Sequence, residues 1–323
     1  MPVEEITLQD LDAEKFIVDQ VEAIRAAVGE QEVAINALSG GVDSAVVTML
    51  GHRALGERLK TYFIDNGLMR QDEPEQIADW FDELGVPVEI VDAKDKFFSA
   101  LEGVTDPEEK REKGITQVFY KDVFAELVKE SEATVLLQGT NYTDAEETAA
   151  GVKRQHNVFE QIGIDPEVAF GYKVLEPIIQ LRKSGIRELA RALGLPDEIA
   201  DRPPFPGPAL ATRVIGEVTP ERIDTVRAAT SIVEEELRDT GAFQYLAVLH
   251  EDRVTGIRGG GRDFGQQIEV RCWESTDAVT ATPTRLSMEK LTLIAERITQ
   301  EVPGVVSVTY NVTSKPPSCI EAV

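Results

Sequence analysis

The sequence predicts an α/β protein, in which a doubly wound parallel sheet is followed by a smaller α+β domain. Three observations support this prediction. Short β-branched runs alternate with amphipathic helical periods in the first part of the chain, a glycine-rich turn joins the first run to a helix, and a proline-rich stretch interrupts the alternation at residues 201–214. Alternating strands and helices are typical of a parallel sheet with crossover helices.

Hydrophobic periodicity locates the first elements. Apolar side chains recur at helical spacing over residues 15–28, and a β-branched run follows at residues 32–39. Helices repeat about every 3.6 residues and strands about every second residue, so the two patterns can be told apart along the chain. They predict a helix at 43–55, a strand at 59–67, a helix at 73–85 and a strand at 87–93.

The alternation continues up to the proline-rich stretch and changes after it. Proline lacks an N–H and restricts φ, so the segment D-R-P-P-F-P-G-P is neither a helix nor a central strand. We place the domain boundary there, with the first domain at 1–203 and the second at 204–323. Before the boundary, the patterns predict a helix-like segment at 116–130, a strand at 133–140 and a helix at 183–195. After it, they predict helices at 221–241 and 287–302 and strands at 242–249, 266–274 and 305–313.

The charge balance of the chain limits its partners. The 323 residues include 58 Asp and Glu against 33 Lys and Arg, which gives a net charge of −25. Such a surface repels nucleic acid, so we expect no nucleic-acid partner. The hydrophobic content of 42% and the regular apolar periods indicate a folded chain. The acidity also fits a halophile, because a salt-rich cytoplasm screens the repulsion between carboxylates.

Cysteine usage and the N-terminus indicate the compartment. Cys272 and Cys319 have neither the spacing of a metal site nor the number expected of a disulfide framework. The N-terminus is acidic and lacks the apolar segment of a signal peptide, and the chain has no apolar run of transmembrane length. We therefore expect a reduced, cytoplasmic protein without membrane contact.

The turn N-A-L-S-G-G-V-D-S-A-V-V, residues 36–47, lies where the first predicted strand meets a helix. Ligands of doubly wound sheets bind at this edge. Two adjacent glycines allow close backbone approach, and the helix N-terminus with the Ser39 and Ser44 hydroxyls offers donors to an anion. Asp43 occupies the place of a lysine, which favours a polyphosphate chelated by magnesium, because the cation would bridge carboxylate and phosphates. The alternative is an ordinary glycine turn in which Ser39 or Asp43 is the N-cap.

The segment S-G-G-V-D-S resembles the signature of the N-type ATP pyrophosphatases, which release pyrophosphate from ATP and leave an adenylylated intermediate. Within that group the chain is similar, over nearly its whole length, to the ATP pyrophosphatase part of GMP synthetase. The matching segments are LSGGVDSAV, FIDNGLMR, GVTDPEEKR, LLQGTNYTD, HNV, RPPFPGPAL and SKPPSCIE. The resemblance implies an adenine nucleotide α-hydrolase-like sheet and a C-terminal dimerisation domain.

The resemblance also implies roles for individual residues. One set would grip the pyrophosphate of ATP and its magnesium, with Asp43 as the metal ligand: Ser39, Gly40, Gly41, Val42, Asp43 and Ser44. Strand ends would line the adenosine pocket at Phe63, Asp65 and Gly139. Lys183 would steady the charge at phosphorus, with Asp144 and Glu147 close to the reacting purine. A last set would bind the nucleotide XMP: Arg213, Lys315 and Glu321.

The reaction that the resemblance implies converts ATP, XMP and ammonia to GMP, AMP and pyrophosphate. GMP synthetases in one chain carry an N-terminal glutaminase domain with a Gly-x-Cys-x-Gly elbow, whereas this sequence has no cysteine before Cys272. We therefore expect ammonia from a separate glutamine amidotransferase subunit, as in the two-subunit form found in archaea, and a haloarchaeal source. The second domain is expected to pair two protomers into a homodimer.

Simpler interpretations stay open for several residues. Lys183 is also typical of a solvated side chain at a helix start, and Asp144 with its acidic neighbours also fits a capping cluster. The segment R-G-G-G-R-D-F-G, residues 258–265, suits either a phosphate loop or a β-hairpin turn.

Other functions share the glycine turn. An NAD synthetase would lack the PFPGP and KPP segments, and a tRNA-thiolating enzyme needs active-site cysteines and a basic RNA face. A divergent paralogue would bind nucleotide or the glutaminase partner without turnover. That alternative rests on departures from the family motifs, such as Ala209 in place of glycine and Cys319 in place of threonine.

Overall fold

A computed structural model describes residues 3–149, 172–276 and 279–323, apart from the side chains of 114–116 and 147–149. The chain divides into two compact units. The first comprises Met1–Asp65, Glu73–Asp92 and Phe119–Arg202, and the second comprises Asn66–Asp72, Ala93–Val118 and Pro203–Val323. The segments 66–72 and 93–118 thus group with the second unit, although they precede the boundary placed at 203/204.

The helices and strands are numbered here in chain order. The earlier elements are α1 (Ala13–Val28), β1 (Ala34–Ala37), α2 (Val42–Leu55), β2 (Leu59–Asp65), α3 (Glu73–Glu83), β3 (Glu89–Asp92), α4 (Lys94–Leu101), α5 (Pro107–Arg111), a π-helix (Glu112–Phe124) and α6 (Ala125–Ser131). The later elements are β4 (Val135–Leu137), α7 (Tyr142–Ala149), β5 (Lys173–Leu175), α8 (Lys183–Ala192), α9 (Asp197–Ala200), α10 (Pro220–Leu237), β6 (Gln244–Arg258), β7 (Gly261–Glu274), β8 (Thr282–Pro283), α11 (Met288–Glu301) and β9 (Val305–Tyr310). Within the described ranges, no helix is both long and apolar enough to cross a membrane.

Five parallel strands form the sheet of the first unit, in the order β3-β2-β1-β4-β5. The central strand is β1, in which Ala34 pairs with Leu59 of β2 on one side and with Val135 of β4 on the other. Ala34 and Ile35 are fully buried, as expected for the central strand of a parallel sheet covered by helices. This sheet confirms the predicted doubly wound α/β class.

The strand order reverses between β1 and β4. From β1 the chain runs outward through β2 to β3, and it then returns to the other side of β1 for β4 and β5. Ligands of doubly wound sheets bind where the strand order reverses in this way. The loops after these two strands, 38–41 and 138–141, are therefore the expected walls of a ligand site.

Close packing and a buried polar network hold α2 against the sheet. Gly51 packs closely on the sheet, because a Cβ there would lie 2.5 Å from Leu137 Cδ1 and the leucine side chain would have to shift. Thr61 Oγ1 donates to Asn36 Oδ1 at 2.8 Å, and Asn36 Nδ2 donates to Thr48 Oγ1 at 2.6 Å. A buried network satisfied in this way specifies one arrangement of its members. The first turns of α2 are therefore fixed relative to β1 and β2.

A four-stranded sheet forms the centre of the second unit. Strand β7 pairs antiparallel with β6 and β8, and parallel with β9. Gly259 and Gly260 join β6 to β7 with positive φ values of 60° and 81°, as a two-residue hairpin turn requires. The hairpin interpretation of residues 258–265 is thus confirmed. Both strands extend beyond the predicted ranges, because the outer hairpin is largely exposed and lacks a buried apolar pattern.

Candidate active site

Four residues, 38–41, connect β1 to α2 at the carboxyl edge of the first sheet. Gly40 has a φ of 76°, in the region that favours glycine, and a Cβ there would lie 3.0 Å from both Arg202 Nη1 and Glu73 Oε1. Gly41 is the N-cap of α2 and has no side chain to satisfy the first-turn N–H groups. Among the described residues these N–H groups thus have no side-chain cap, and uncapped donors at a helix start suit an anion. Val42, the first residue of the helix, is buried.

Hydrogen bonds between two serines shape the loop. Ser44 Oγ donates to Gly41 O at 3.0 Å and accepts from the Ser39 N–H at 3.1 Å. The two hydroxyl oxygens lie 3.0 Å apart. Because Ser44 uses its only hydroxyl proton on Gly41, Ser39 is the donor between the two hydroxyls. Both hydroxyl protons are thus engaged within the loop, and the backbone N–H groups are the donors left at the helix start.

Asp43 lies in the first turn of α2, where the helix dipole favours a carboxylate. Its Oδ2 is 2.5 Å from Lys183 Nζ and accepts a hydrogen bond from Asn141 Nδ2 at 3.3 Å. Its Oδ1 is buried and has no hydrogen-bond partner among the described residues. Asp43 and Lys183 are 140 residues apart in the sequence. The fold therefore brings together two residues that were predicted separately.

Gly139, predicted to line the adenosine pocket, brings the loop after β4 against α2. A Cβ at Gly139 would lie 3.3 Å from Asp43 Cβ and from Ser44 N. The missing side chain thus permits the close approach that lets Asn141 reach Asp43. Asn141 is absent from the predicted set, although its place after a strand that was itself predicted is a usable signal.

The other predicted residues of the first unit have different surroundings. Asp144 Oδ2 accepts from the Asn141 N–H and Asn141 Oδ1 accepts from the Asp144 N–H, each at 3.1 Å, which is the geometry of a helix cap. This geometry supports the capping interpretation of Asp144. Phe63 is buried within β2, and Asp65 is buried at its carboxyl end. Two predictions lie outside the described residues: the Glu147 side chain and the HNV segment at 156–158.

In the second unit, Arg213 and Glu321 form an ion pair. Arg213 is fully buried, and its Nε and Nη2 donate to the Glu321 carboxylate at 3.2 and 3.4 Å. Gln244 Nε2 donates to the same carboxylate at 2.6 Å. Arg213 Nη1 is buried and lacks a hydrogen-bond partner in the described part of the chain. Two of the three residues predicted to bind a second nucleotide are thus in contact, and Gln244 is a neighbour that the prediction lacks.

Segments distant in the sequence meet around Arg213. The centroid of the Phe205 ring lies 4.9 Å from the guanidinium carbon of Arg213 and 3.9 Å from that of Arg70. Lys110 Nζ donates to Val214 O at 2.8 Å, and burial lowers the pKa of Lys110 to about 8. Residues of the segments FIDNGLMR, GVTDPEEKR and RPPFPGPAL therefore belong to one cluster of the second unit.

Ala209 departs from the glycine of the family motif and carries backbone strain. Its φ is 54°, in the left-handed region, and the residue is buried. This conformation costs a residue with a Cβ about 1 to 2 kcal/mol. Ala209 thus adopts a backbone conformation that glycine would adopt without this cost.

The C-terminal tail that carries Glu321 is held by Arg271. Arg271 Nη1 donates to the carbonyl oxygens of Cys319 and Ile320 at 2.9 and 3.2 Å. Arg271 is itself oriented by Glu269, whose Oε1 lies 2.5 Å from Arg271 Nε. Neither residue is in the predicted set. Because both lie on β7, the tail is anchored to the sheet just before Glu321.

Lys315, the third residue predicted to bind the second nucleotide, is fixed through its backbone. Its N–H donates to Ala281 O at 2.8 Å, and its carbonyl accepts from the Ala281 N–H at 3.1 Å. The side chain is half-buried. Both predicted residues of the tail therefore have a defined position within the second unit.

Glu269 makes the stability of the second unit depend on pH. Burial alone would raise the pKa of Glu269, but hydrogen bonds from His250 and Asn311 and the charge of Arg271 lower it to about 2. A glutamate in an unfolded chain has a pKa of about 4.3. Because the folded-state pKa is lower, the ionised carboxylate stabilises the fold above about pH 4.3, and this contribution is lost as the pH falls towards the folded-state value.

We therefore expect Glu269→Gln to lower the unfolding temperature at neutral pH and to reduce its decline in acid. Thermal unfolding followed by circular dichroism between neutral and strongly acidic pH measures both effects. Glu274→Gln, at an exposed glutamate on the same strand, is the matched control and should leave the decline unchanged. If the Glu269 variant declined as steeply as the wild type, the assigned pKa would be wrong.

Known proteins are similar to this chain along almost its whole length. The family model GMP synthase C terminal domain matches residues 231–322, and the model Asparagine synthase matches residues 21–161. A subunit of the glutamine-hydrolyzing GMP synthase of Archaeoglobus fulgidus is 47% identical over 96% of this chain and 99% of that protein. The corresponding GMP synthase subunit of Methanocaldococcus jannaschii is 44% identical over 96% of this chain and 99% of that protein. A solved NH3-dependent NAD synthetase from Campylobacter jejuni is 17% identical and covers 71% of this chain and 87% of that one, with a TM-score of 0.46.

Proposed function

The chain belongs to the family of these archaeal GMP synthase subunits, and on that premise we propose that it adenylylates XMP with ATP and aminates the intermediate with ammonia, giving GMP, AMP and pyrophosphate. It is accordingly a ligase of GMP biosynthesis. The observation that carries the proposal is the meeting of Asp43 and Lys183, 2.5 Å apart, at the glycine loop of α2. A carboxylate, a cation and backbone donors converge there, as a metal-chelated polyphosphate requires.

The glycine loop would bind the pyrophosphate part of ATP. The backbone N–H groups at the start of α2, around Gly40 and Gly41, would donate to the phosphate oxygens, and Ser39 and Ser44 would hold the loop in shape. The adenosine would lie at the same edge of the sheet. Its proposed walls are Phe63 and Asp65 of β2 and Gly139 after β4.

Asp43 is the proposed magnesium ligand. Its buried Oδ1 has no hydrogen-bond partner among the described residues, and a cation would satisfy that oxygen. Those residues contain no group of three His, Cys, Asp or Glu side chains suited to a metal. Asp43 beside the backbone donors of the glycine loop fits magnesium, which commonly binds through one or two carboxylates and takes its other ligands from phosphates and water. When bound, magnesium would neutralise charge on the leaving pyrophosphate.

Lys183 would stabilise the charge that develops at phosphorus. Its ammonium pairs with Asp43, yet 55% of the side chain is exposed. A lysine on a flexible stem can move from the carboxylate to a bound phosphate while remaining at the same site. Asp144, at the start of α7, and Glu147, in the same helix, are proposed to lie near the reacting purine; for Glu147 the support is the resemblance alone.

The second unit would bind XMP. The 5′-phosphate of XMP needs a cation, which Lys315 would supply, and its base and ribose offer N–H and O–H donors to a carboxylate. Glu321 would accept from these donors, because Arg213 and Gln244 hold its carboxylate in place. Arg213 has one further buried donor, Nη1, that a ligand oxygen would satisfy.

Ammonia would come from a partner. The relatives are named as subunits of their enzyme, which implies a partner subunit, and we propose that it is a glutamine amidotransferase.

We also propose a homodimer formed through the second unit. Ile257 and Phe264, 83% and 53% exposed on the β6–β7 hairpin, support an interface there, because large apolar side chains that lie exposed together often mark contact surfaces.

Pyrophosphate release by the purified chain tests the proposal. The assay contains ATP, magnesium, ammonium and high salt, with and without XMP, and GMP is measured alongside pyrophosphate. We expect both products in equal amounts and only when XMP is present. A protein that binds ATP but forms neither product with XMP would overturn the proposal in favour of another acceptor or a paralogue without turnover.

A further inference from the structure

The first residue of the R-P-P-F-P-G-P segment contacts the glycine loop. Arg202 Nη1 donates to Gly40 O at 3.0 Å, and Arg202 Nη2 is 2.7 Å from Glu73 Oε1. Glu73 begins α3, so the three residues come from three separate parts of the first unit. The proposed function leaves Arg202 and Glu73 without a role.

Both charges of this pair are withdrawn from solvent. The Glu73 side chain is 2% exposed and the Arg202 side chain is 13% exposed. Burying an ion pair costs free energy unless further hydrogen bonds satisfy its members. One such bond ends on the carbonyl of Gly40. The buried Arg202–Glu73 ion pair is therefore hydrogen-bonded to Gly40, in the glycine loop.

The contact determines which way the next peptide N–H points. In a planar trans peptide the carbonyl of one residue and the N–H of the following residue point in opposite directions. Fixing Gly40 O towards Arg202 thus directs the Gly41 N–H away from Arg202. Gly40 itself cannot set this direction, because a glycine backbone populates several conformations about equally.

We propose that Arg202, oriented by Glu73, is a positioning residue that presents the Gly41 N–H to the pyrophosphate of ATP. The inference rests on the proposed function. It requires arginine, because the guanidinium fork reaches the carboxylate and the carbonyl at once, whereas a lysine ammonium is a single point charge.

Calorimetric titration of the whole chain with ATP and magnesium tests this role. Arg202→Lys should weaken ATP binding roughly 10- to 100-fold, the usual effect of losing a charge-assisted hydrogen bond. The KM for XMP at saturating ATP should stay within about twofold of the wild type. The matched control is Arg191→Lys, which alters another arginine–carboxylate pair of the first unit, at 2.7 Å from Asp201. The control should bind ATP as the wild type does.

The outcomes separate the two proposals. A wild-type chain that does not bind ATP contradicts the proposed function. A wild type that binds ATP while Arg202→Lys binds equally well overturns the role of Arg202, as does an equal loss of affinity for ATP and XMP. If Arg202→Lys does not fold, Glu73→Gln decides instead. It keeps the shape of the pair but removes its charge, so unchanged ATP affinity in that variant would also overturn the inference.

Discussion

Asp43→Asn should reduce magnesium-dependent turnover at least about 100-fold, an effect comparable to the loss of one charge-stabilising group in other active sites. The substitution removes the negative charge at the proposed metal ligand and replaces one carboxylate oxygen by an NH₂ group that cannot bind a cation. It changes the side-chain shape little, so the chain should still fold. The structural basis of this expectation is the Asp43 Oδ1, which has no hydrogen-bond partner in the described ranges, and the contact with Lys183.

Steady-state pyrophosphate release at increasing magnesium concentrations measures the effect. The matched control is Asp19→Asn, because Asp19 is also paired with a lysine, Lys15, but on the exposed face of α1. The control should retain the wild-type rate, and circular dichroism should show both variants folded. Full activity of the Asp43 variant would exclude this carboxylate as the metal ligand.

Lys315→Ala should raise the KM for XMP roughly 10- to 100-fold, as expected when a charge-assisted contact to a phosphate is lost. The KM for ATP should change little, because the proposed ATP site consists of residues of the first unit. The backbone of Lys315 is held by two hydrogen bonds to Ala281, and the substitution keeps both. The tail should therefore remain in place when the ammonium is removed.

Lys290→Ala is the matched control for this variant. Lys290 pairs with Glu236 at 2.9 Å in the second unit and is not among the residues assigned to nucleotide binding. Kinetics with one substrate varied at a time separate the two KM values. Equal increases for XMP and ATP would contradict the assignment of Lys315 to XMP.

The predicted helices and strands agree best with the observed ones where a local sequence pattern decides the structure. Residues 13–28 and 42–55 form the predicted helices within two residues, and β1 and β2 lie within the predicted strands. Strand β5 was not predicted, and the segment predicted to be helix-like at 116–130 is a π-helix up to Phe124 and α6 after it. β5 is three residues long, and the apolar period in the π-helix resembles that of an ordinary helix.

The candidate site was predictable to a similar extent. The strand, turn and helix around residues 36–47 can be read from a short window, because glycine, hydroxyl and carboxylate residues at a strand–helix junction have local physical meaning. Lys183 and Gly139 entered the prediction only through the resemblance. Arg202 and Glu73 did not enter it, since neither has a local pattern that points to the loop, and Asn141 did not enter it although its place after a predicted strand is a usable signal.

The sequence by itself determined the doubly wound class, the place of the glycine turn between β1 and α2 and the family, because these depend on periodicity, on turn chemistry and on motifs that are contiguous in the chain. Only the tertiary structure decided which side chains meet at Asp43, that Arg202 and Glu73 hold Gly40, and that 66–72 and 93–118 group with the second unit. Those contacts join residues far apart in the chain. They exist because the strand order brings the ends of β1 and β4 together and because buried charges must find partners, and neither condition can be read from a local stretch of sequence.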